Sequence, residues 1–202
     1  PFQPRRFEIG REVLNLERSL DQSLYLACIA PKQLDSHLDL LRENLAGIRL
    51  NIALAPADEL EAERVSDLES RTLLWELVAA GPDGEPRFLP LEVMADTSLG
   101  GRQTGVVRLR LPKNASLFAD FAYADPMFDG SKQYPPALED AVEASRVALW
   151  IRLRCPDEPG LALGYLGLNG VEVVAQGLRR DTVVGLGTGL PDQVVALPDQ
   201  QI

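Results

Sequence analysis

Short apolar runs separated by turn residues dominate the chain. Ser23 to Ala30 (SLYLACIA) is a continuous apolar run of strand length. From Gly47 to Leu54, Ile48, Leu50, Ile52 and Leu54 alternate with Arg49 and Asn51, the two-residue period of a half-buried strand. Gly105 to Leu111 repeats the device, with Val107, Leu109 and Leu111 on one face and Arg108 and Arg110 on the other. So does Arg146 to Cys155, with Leu149, Ile151 and Leu153 inward and Trp150, Arg152 and Arg154 outward. Thr72 to Ala79 (TLLWELVA) predicts another strand; Gly81-Pro82-Asp83-Gly84 then turns the chain, and Phe88 to Val93 returns as its hairpin partner. Asn169-Gly170 is the strongest turn signal. A type I′ loop there sets Leu168 against Val171 and Leu166 against Val173, so turn chemistry and alternation agree. Two further runs follow, Asp181 to Leu186 and Gln193 to Leu197.

Helix is scarce. Leu34, Leu38, Leu41 and Leu45 have helical spacing, with Asp35 or Ser36 as N-cap and Gly47 as the stop. Ala57 to Glu69 reads as a short acidic helix or an exposed loop, and Pro135 to Glu143 as holding a helical turn. Many short strands punctuated by Pro and Gly predict a mainly β fold: an antiparallel, jelly-roll-like β-sandwich with one or two short helices in an insertion. We expect one domain over 1–202, with 31–70 as a helical and acidic insertion within it.

The composition narrows the function classes. The 202 residues are 46% hydrophobic and 25% charged, the balance of a folded globule rather than a disordered chain. The formal net charge of -10 argues against nucleic acid as the main partner, since phosphate neutralisation needs clustered Lys and Arg. His37 is the sole histidine, and Cys28 and Cys155 are the two cysteines. That set excludes a zinc site built from several Cys and His, and disfavours histidine-dependent catalysis. The cysteines lie in apolar strand-like runs. They read as buried free thiols, although a disulfide between them stays open. No apolar run approaches the length of a membrane span. The chain begins Pro1-Phe2-Gln3-Pro4 without a methionine or a signal-peptide pattern, which reads as a piece of a longer protein of cytoplasmic origin.

Four features invite a chemical reading. Asp96-Thr97-Ser98 follows an apolar run as an aspartic-protease Asp does. That chemistry needs a second carboxylate in a matching turn, however, and no second copy is present. The plainer reading is a turn in which Asp96 bonds nearby backbone. Gly185-Leu186-Gly187-Thr188-Gly189-Leu190-Pro191 is glycine-rich, but Pro191 and Val194-Val195 argue against the helix that a phosphate cradle requires. His37 stands beside Asp35 and Asp39 with no second histidine, and reads as a solvated surface residue. The fourth is Arg108, Arg110, Arg152 and Arg154, which with Trp150 make a candidate docking face for an acidic neighbour, Trp and Arg being the residues that anchor interfaces. No catalytic, cofactor-binding or metal-binding residue is assigned, and no cofactor is expected.

The ordered motifs resemble a known family. Leu24-Tyr25-Leu26, Trp75-Glu76, Leu91 to Pro112 (LEVMADTSLGGRQTGVVRLRLP), Ala148 to Arg154 (ALWIRLR), Gly167 to Gln176 (GLNGVEVVAQ) and Gly185 to Pro198 (GLGTGLPDQVVALP) carry the likeness. In order and spacing they resemble the baseplate assembly protein family of phage-tail-like contractile injection systems, relatives of the phage baseplate J-like wedge proteins. The resemblance implies a non-enzymatic structural part of the baseplate, whose wedge proteins ring a central spike hub and link it to the sheath. It also implies other baseplate subunits as partners (wedge, hub or spike, and sheath-proximal proteins), with assembly in the cytoplasm before incorporation into a particle. Asp96 would then belong to a structural strand-turn-strand segment. The chain lacks the family's preceding N-terminal part and its following J-like core, and its acidic stretch around Ala57 to Glu69 has no match there. The other reading kept open is a carbohydrate-binding sandwich. It would use Trp75, Trp150, Tyr123, Tyr134 and Phe128 as stacking platforms, with Tyr123 to Tyr134 (YADPMFDGSKQY) as the binding loop.

Overall fold

The computed structural model describes residues 13–19, 22–57, 71–81, 85–119, 121, 134–138, 140–157 and 160–171. The chain divides into two compact units, Pro1–Val171 and Glu172–Ile202, and all described residues belong to the first. Its elements in chain order are β1 (Leu14–Asn15), β2 (Ser23–Ile29), α1 (Leu38–Leu45), β3 (Arg49–Pro56), β4 (Leu74–Ala80), β5 (Pro86–Pro90), β6 (Glu92–Asp96), β7 (Gly105–Arg110), α2 (Ala141–Ala144), β8 (Val147–Arg154) and β9 (Ala162–Leu168). Among the described residues these strands form two sheets, a five-stranded one ordered β1-β9-β3-β7-β6 and a four-stranded one ordered β2-β8-β4-β5. Every pairing is antiparallel. Among the described residues the fold is a mainly β sandwich with two short helices, as the alternating runs predict.

The core explains why the sheets face each other. Ile52 and Leu54 of β3, Val107 and Leu109 of β7, and Leu163 of β9 supply one side. Trp75, Leu77 and Ala79 of β4, with Leu149, Ile151 and Leu153 of β8, supply the other. All are buried in one cluster. Each strand contributes every second residue, so burying the apolar set fixes the register against a one-residue slip.

Three local differences from the sequence reading have physical causes. First, β4 does return through a hairpin, but its partner β5 ends at Pro90, which has no N–H to continue the ladder. Leu91 is buried at the pivot and its N–H donates to the Trp75 carbonyl at 2.8 Å. Glu92–Asp96, expected in part as the end of that hairpin, crosses to the other sheet as β6. Second, the N-cap position of α1 is neither 35 nor 36. Lys32–His37 is a 3-10 segment in which the Leu34 N–H already donates to the Pro31 carbonyl at 2.9 Å. The chain therefore enters the helix without an extended residue at 35 or 36, and the N-cap position falls on His37, with no side-chain cap bond. The expected stop at Gly47 is observed, with φ +75. Third, the span 31–70 holds more than a helix and an acidic stretch, because it also contains β3, a central strand of the larger sheet.

In the 135–143 region the helical turn is α2. The Asp140 side chain accepts from the N–H groups of Val142 (2.8 Å) and Glu143 (3.2 Å). At the expected hairpin after β9, Asn169 has φ 56, but Gly170 does not take the positive φ that a type I′ turn also requires at its second central residue. The pairing of Leu166 with Val173 lies outside the described residues. So do the acidic stretch at 58–69, the runs at 181–186 and 193–197, and the glycine-rich segment at 185–191.

Candidate functional site

The five residues expected to share a docking face lie on two faces. Arg108 and Arg110 project from β7 on the outside of the five-stranded sheet; Trp150, Arg152 and Arg154 project from β8 on the outside of the four-stranded sheet. The inward residues of both strands meet in one core, so their outward residues must point in opposite directions. Alternation was legible in each strand, but the partner strands assign the sheet.

The β8 set is largely enclosed. Trp150 is 2% exposed and packs with Val78 and Val147, bordered by Tyr25, Ala27, Phe88, Phe121 and Leu138. Arg152 is 5% exposed, and its Nη2 lies 2.7 Å from Glu76 Oε2 while its Nε donates to the same oxygen at 2.8 Å. Its guanidinium also sits 3.2 Å from the centroid of the Phe88 ring, a cation–π contact. Arg154, more exposed, donates from Nε to Glu76 Oε2 at 3.1 Å and from Nη2 to Oε1 at 3.4 Å. One buried carboxylate thus holds two arginines. Glu76 is not among the site residues that the sequence points to. Its signal was a lone acid in the run TLLWELVA, at the outward-facing period, directly across from Arg152 in register.

The β7 set is open to solvent. Arg108 Nε donates to Asn51 Oδ1 of β3 at 3.0 Å, and Arg110 Nη1 lies 3.1 Å from Glu92 Oε2 of β6. Arg49 of β3 stands directly opposite Arg110 and is exposed. Arg49 and Asn51 were read only as the polar half of a strand. What joins them to Arg108 and Arg110 is the β3–β7 pairing, a contact between distant segments.

Asp96 has a structural role in the hairpin between β6 and β7. Its Oδ1 accepts from the Ser98 N–H (2.7 Å) and Ser98 Oγ (2.6 Å), and its Oδ2 accepts from the Gly100 N–H (3.1 Å). Ser98 Oγ in turn accepts from the Gly101 N–H at 3.0 Å, and Thr97 Oγ1 accepts from the Val106 N–H at 2.8 Å. Gly100 has φ +70, and a Cβ there would run into the Arg71 carbonyl, so this turn demands glycine. Both carboxylate oxygens are engaged in holding the turn, the plainer of the two readings of Asp96.

The remaining candidates disperse. His37 is exposed at the start of α1. Cys28 and Cys155 are not joined by a disulfide. Cys28 packs against the main core, and burial pushes its thiol up to about 11 from the usual 9.0. Trp75 and Trp150, two proposed sugar platforms, are buried in the two cores, while Tyr123 and Phe128 lie outside the described residues. Among the described residues no group of three His, Cys, Asp or Glu side chains comes together to hold a metal ion, and no helix is long and apolar enough to cross a membrane. No protein-family model, curated protein or solved structure matches the chain.

Proposed function

We propose that this chain is a non-enzymatic β-sandwich module of the baseplate of a phage tail or phage-tail-like contractile injection system, acting through contacts with neighbouring subunits. The observation that carries the reading is where the family-like stretches fall. Leu91 to Pro112 covers β6, the Asp96 hairpin and β7, whereas Ala148 to Arg154 lies within β8, in the other sheet. Trp75-Glu76 supplies both a core tryptophan and the acid that pairs with the arginines of β8. The resemblance is therefore spread over parts that must pack together to make one body. Glu76 and the ALWIRLR stretch also depend on each other, since a buried charge needs its partner.

A sandwich of this kind works by rigid presentation. Its core holds the two outer faces in fixed relative position, and contraction of a particle repacks interfaces between such bodies rather than within them. Partners on this reading are other baseplate proteins, met during assembly in the cytoplasm. The test has two arms. The genes flanking this one should encode sheath, tube and spike proteins, and a tagged full-length chain should co-purify with at least one of those products. A genomic setting without such genes, together with a chain that captures none of them, overturns the reading.

A further inference from the structure

The outer face of the five-stranded sheet combines features that the fold itself does not require. Arg49 and Arg110 are directly opposed on β3 and β7, and Arg108 is the next outward residue on β7. Like charges placed opposite each other destabilise a sheet. Glu92 offsets Arg110 from the far side, and Asn51 holds Arg108 through a neutral hydrogen bond. Arg49 has no ion pair or hydrogen bond among the described residues. Among the described residues, only Arg110 of these three guanidiniums is paired with a carboxylate, on a chain whose overall charge is -10. Further along β3 the chain itself covers part of this face, with Gly170 against Ala53, and Tyr165 of β9, 38% exposed, stands across from Ala55. Arginine and tyrosine together match the make-up of protein interfaces.

We propose that this face, built by Arg49, Asn51, Arg108 and Arg110 with Tyr165 at its border, docks a carboxylate-rich surface of a different protein. The inference rests on the reading of the chain as a docking module and names the chemistry of the partner. Charge complementarity carries it. An acidic partner is repelled by most of this acidic chain and attracted here, which both steers the encounter and sets its orientation. A nucleic acid fits less well, because its dense phosphate charge calls for a longer basic track than these arginines provide, and the rest of the chain opposes it.

The experiment uses the full chain and a fluorescent oligoglutamate peptide as probe, read by anisotropy at low and at physiological salt. Wild type should bind the probe, and binding should weaken as salt rises. Arg49→Gln with Arg108→Gln should lose affinity by about tenfold or more, while its unfolding midpoint stays level or rises because the opposed charges are gone. Lys32→Gln with Arg87→Gln removes equal charge elsewhere and should leave binding unchanged. Equal losses in the two double variants overturn the proposal, as does tighter binding to a short DNA duplex than to oligoglutamate. A sedimentation-defined dimer that only the Arg49/Arg108 variant dissociates also overturns it, in favour of a second copy as occupant. Failure of baseplate co-purification with the probe result intact removes the baseplate reading and leaves the acidic-docking face standing.

Discussion

At the scale of single residues, two groups that look reactive in the sequence are explained by their surroundings. Asp96 accepts three hydrogen bonds within a tight hairpin. Charge-assisted bonds of this type are stronger than neutral ones, so Asp96→Ala should lower stability by about 2 kcal/mol in urea unfolding. Asp96→Asn, which keeps one acceptor oxygen, should lose less. Cys28 behaves as a small apolar residue in a strand of the four-stranded sheet. Its thiol is pushed up to about 11 in the folded chain against 9.0 when unperturbed. Below about pH 9 this shift has no effect on stability. As pH rises from there towards about 11, the unfolded chain loses the proton first, so folding is weakened, by at most roughly 3 kcal/mol. Urea melts across that window should show the decline, and Cys28→Ala should flatten it. Thiol-directed alkylation at pH 8 should be slow at Cys28 until the protein unfolds.

At the scale of elements, β8 decides how the four-stranded sheet is built. It is buried along almost its whole length because Trp150 and Arg152 are covered on the outer side while Leu149, Ile151 and Leu153 fill the core. An arginine enclosed in this way needs a counter-charge, and β4 supplies Glu76 in register. Glu76→Gln should therefore cost about 3–5 kcal/mol, because it leaves the buried Arg152 uncompensated. Glu76→Leu combined with Arg152→Met removes both charges and should cost clearly less than the single change. Thermal and denaturant unfolding of the two variants gives the comparison, and a larger loss in the double variant would rule this account out. The alternation of β8 was plain in its sequence. Its enclosure was not, because the cover comes from Phe121 and Leu138, residues whose own local pattern gives no hint of where they pack.

At the scale of the whole molecule, the central step is the assignment of strands to sheets. β7 and β8 carry the same inward-apolar, outward-arginine pattern, yet the chain places them in opposite layers. One arginine pair is consequently open, beside Arg49 and Glu92, while Arg152 is enclosed beside Glu76 and Arg154 lies partly exposed against the same carboxylate. The proposed docking surface lies on the open side, which is why the charge-removal experiment targets Arg49 and Arg108. The baseplate reading belongs to this scale too, since its test is which neighbouring proteins the intact chain captures.

Taken alone, the sequence determined most of the strands, their inward faces, the sandwich class, the turn in which Asp96 bonds nearby backbone and the stop of α1 at Gly47. All of these follow from local geometry: a two-residue side-chain period, the lack of a Cβ in glycine, and the reach of a short polar side chain to nearby backbone. The tertiary structure decided that Glu92–Asp96 leaves the hairpin for the other sheet, that Arg49 and Asn51 join Arg108 and Arg110, and that Glu76 binds Arg152 and Arg154. These depend on pairings between segments far apart in the chain. Their energies are set by what lies opposite in the folded sheet, which no local pattern encodes.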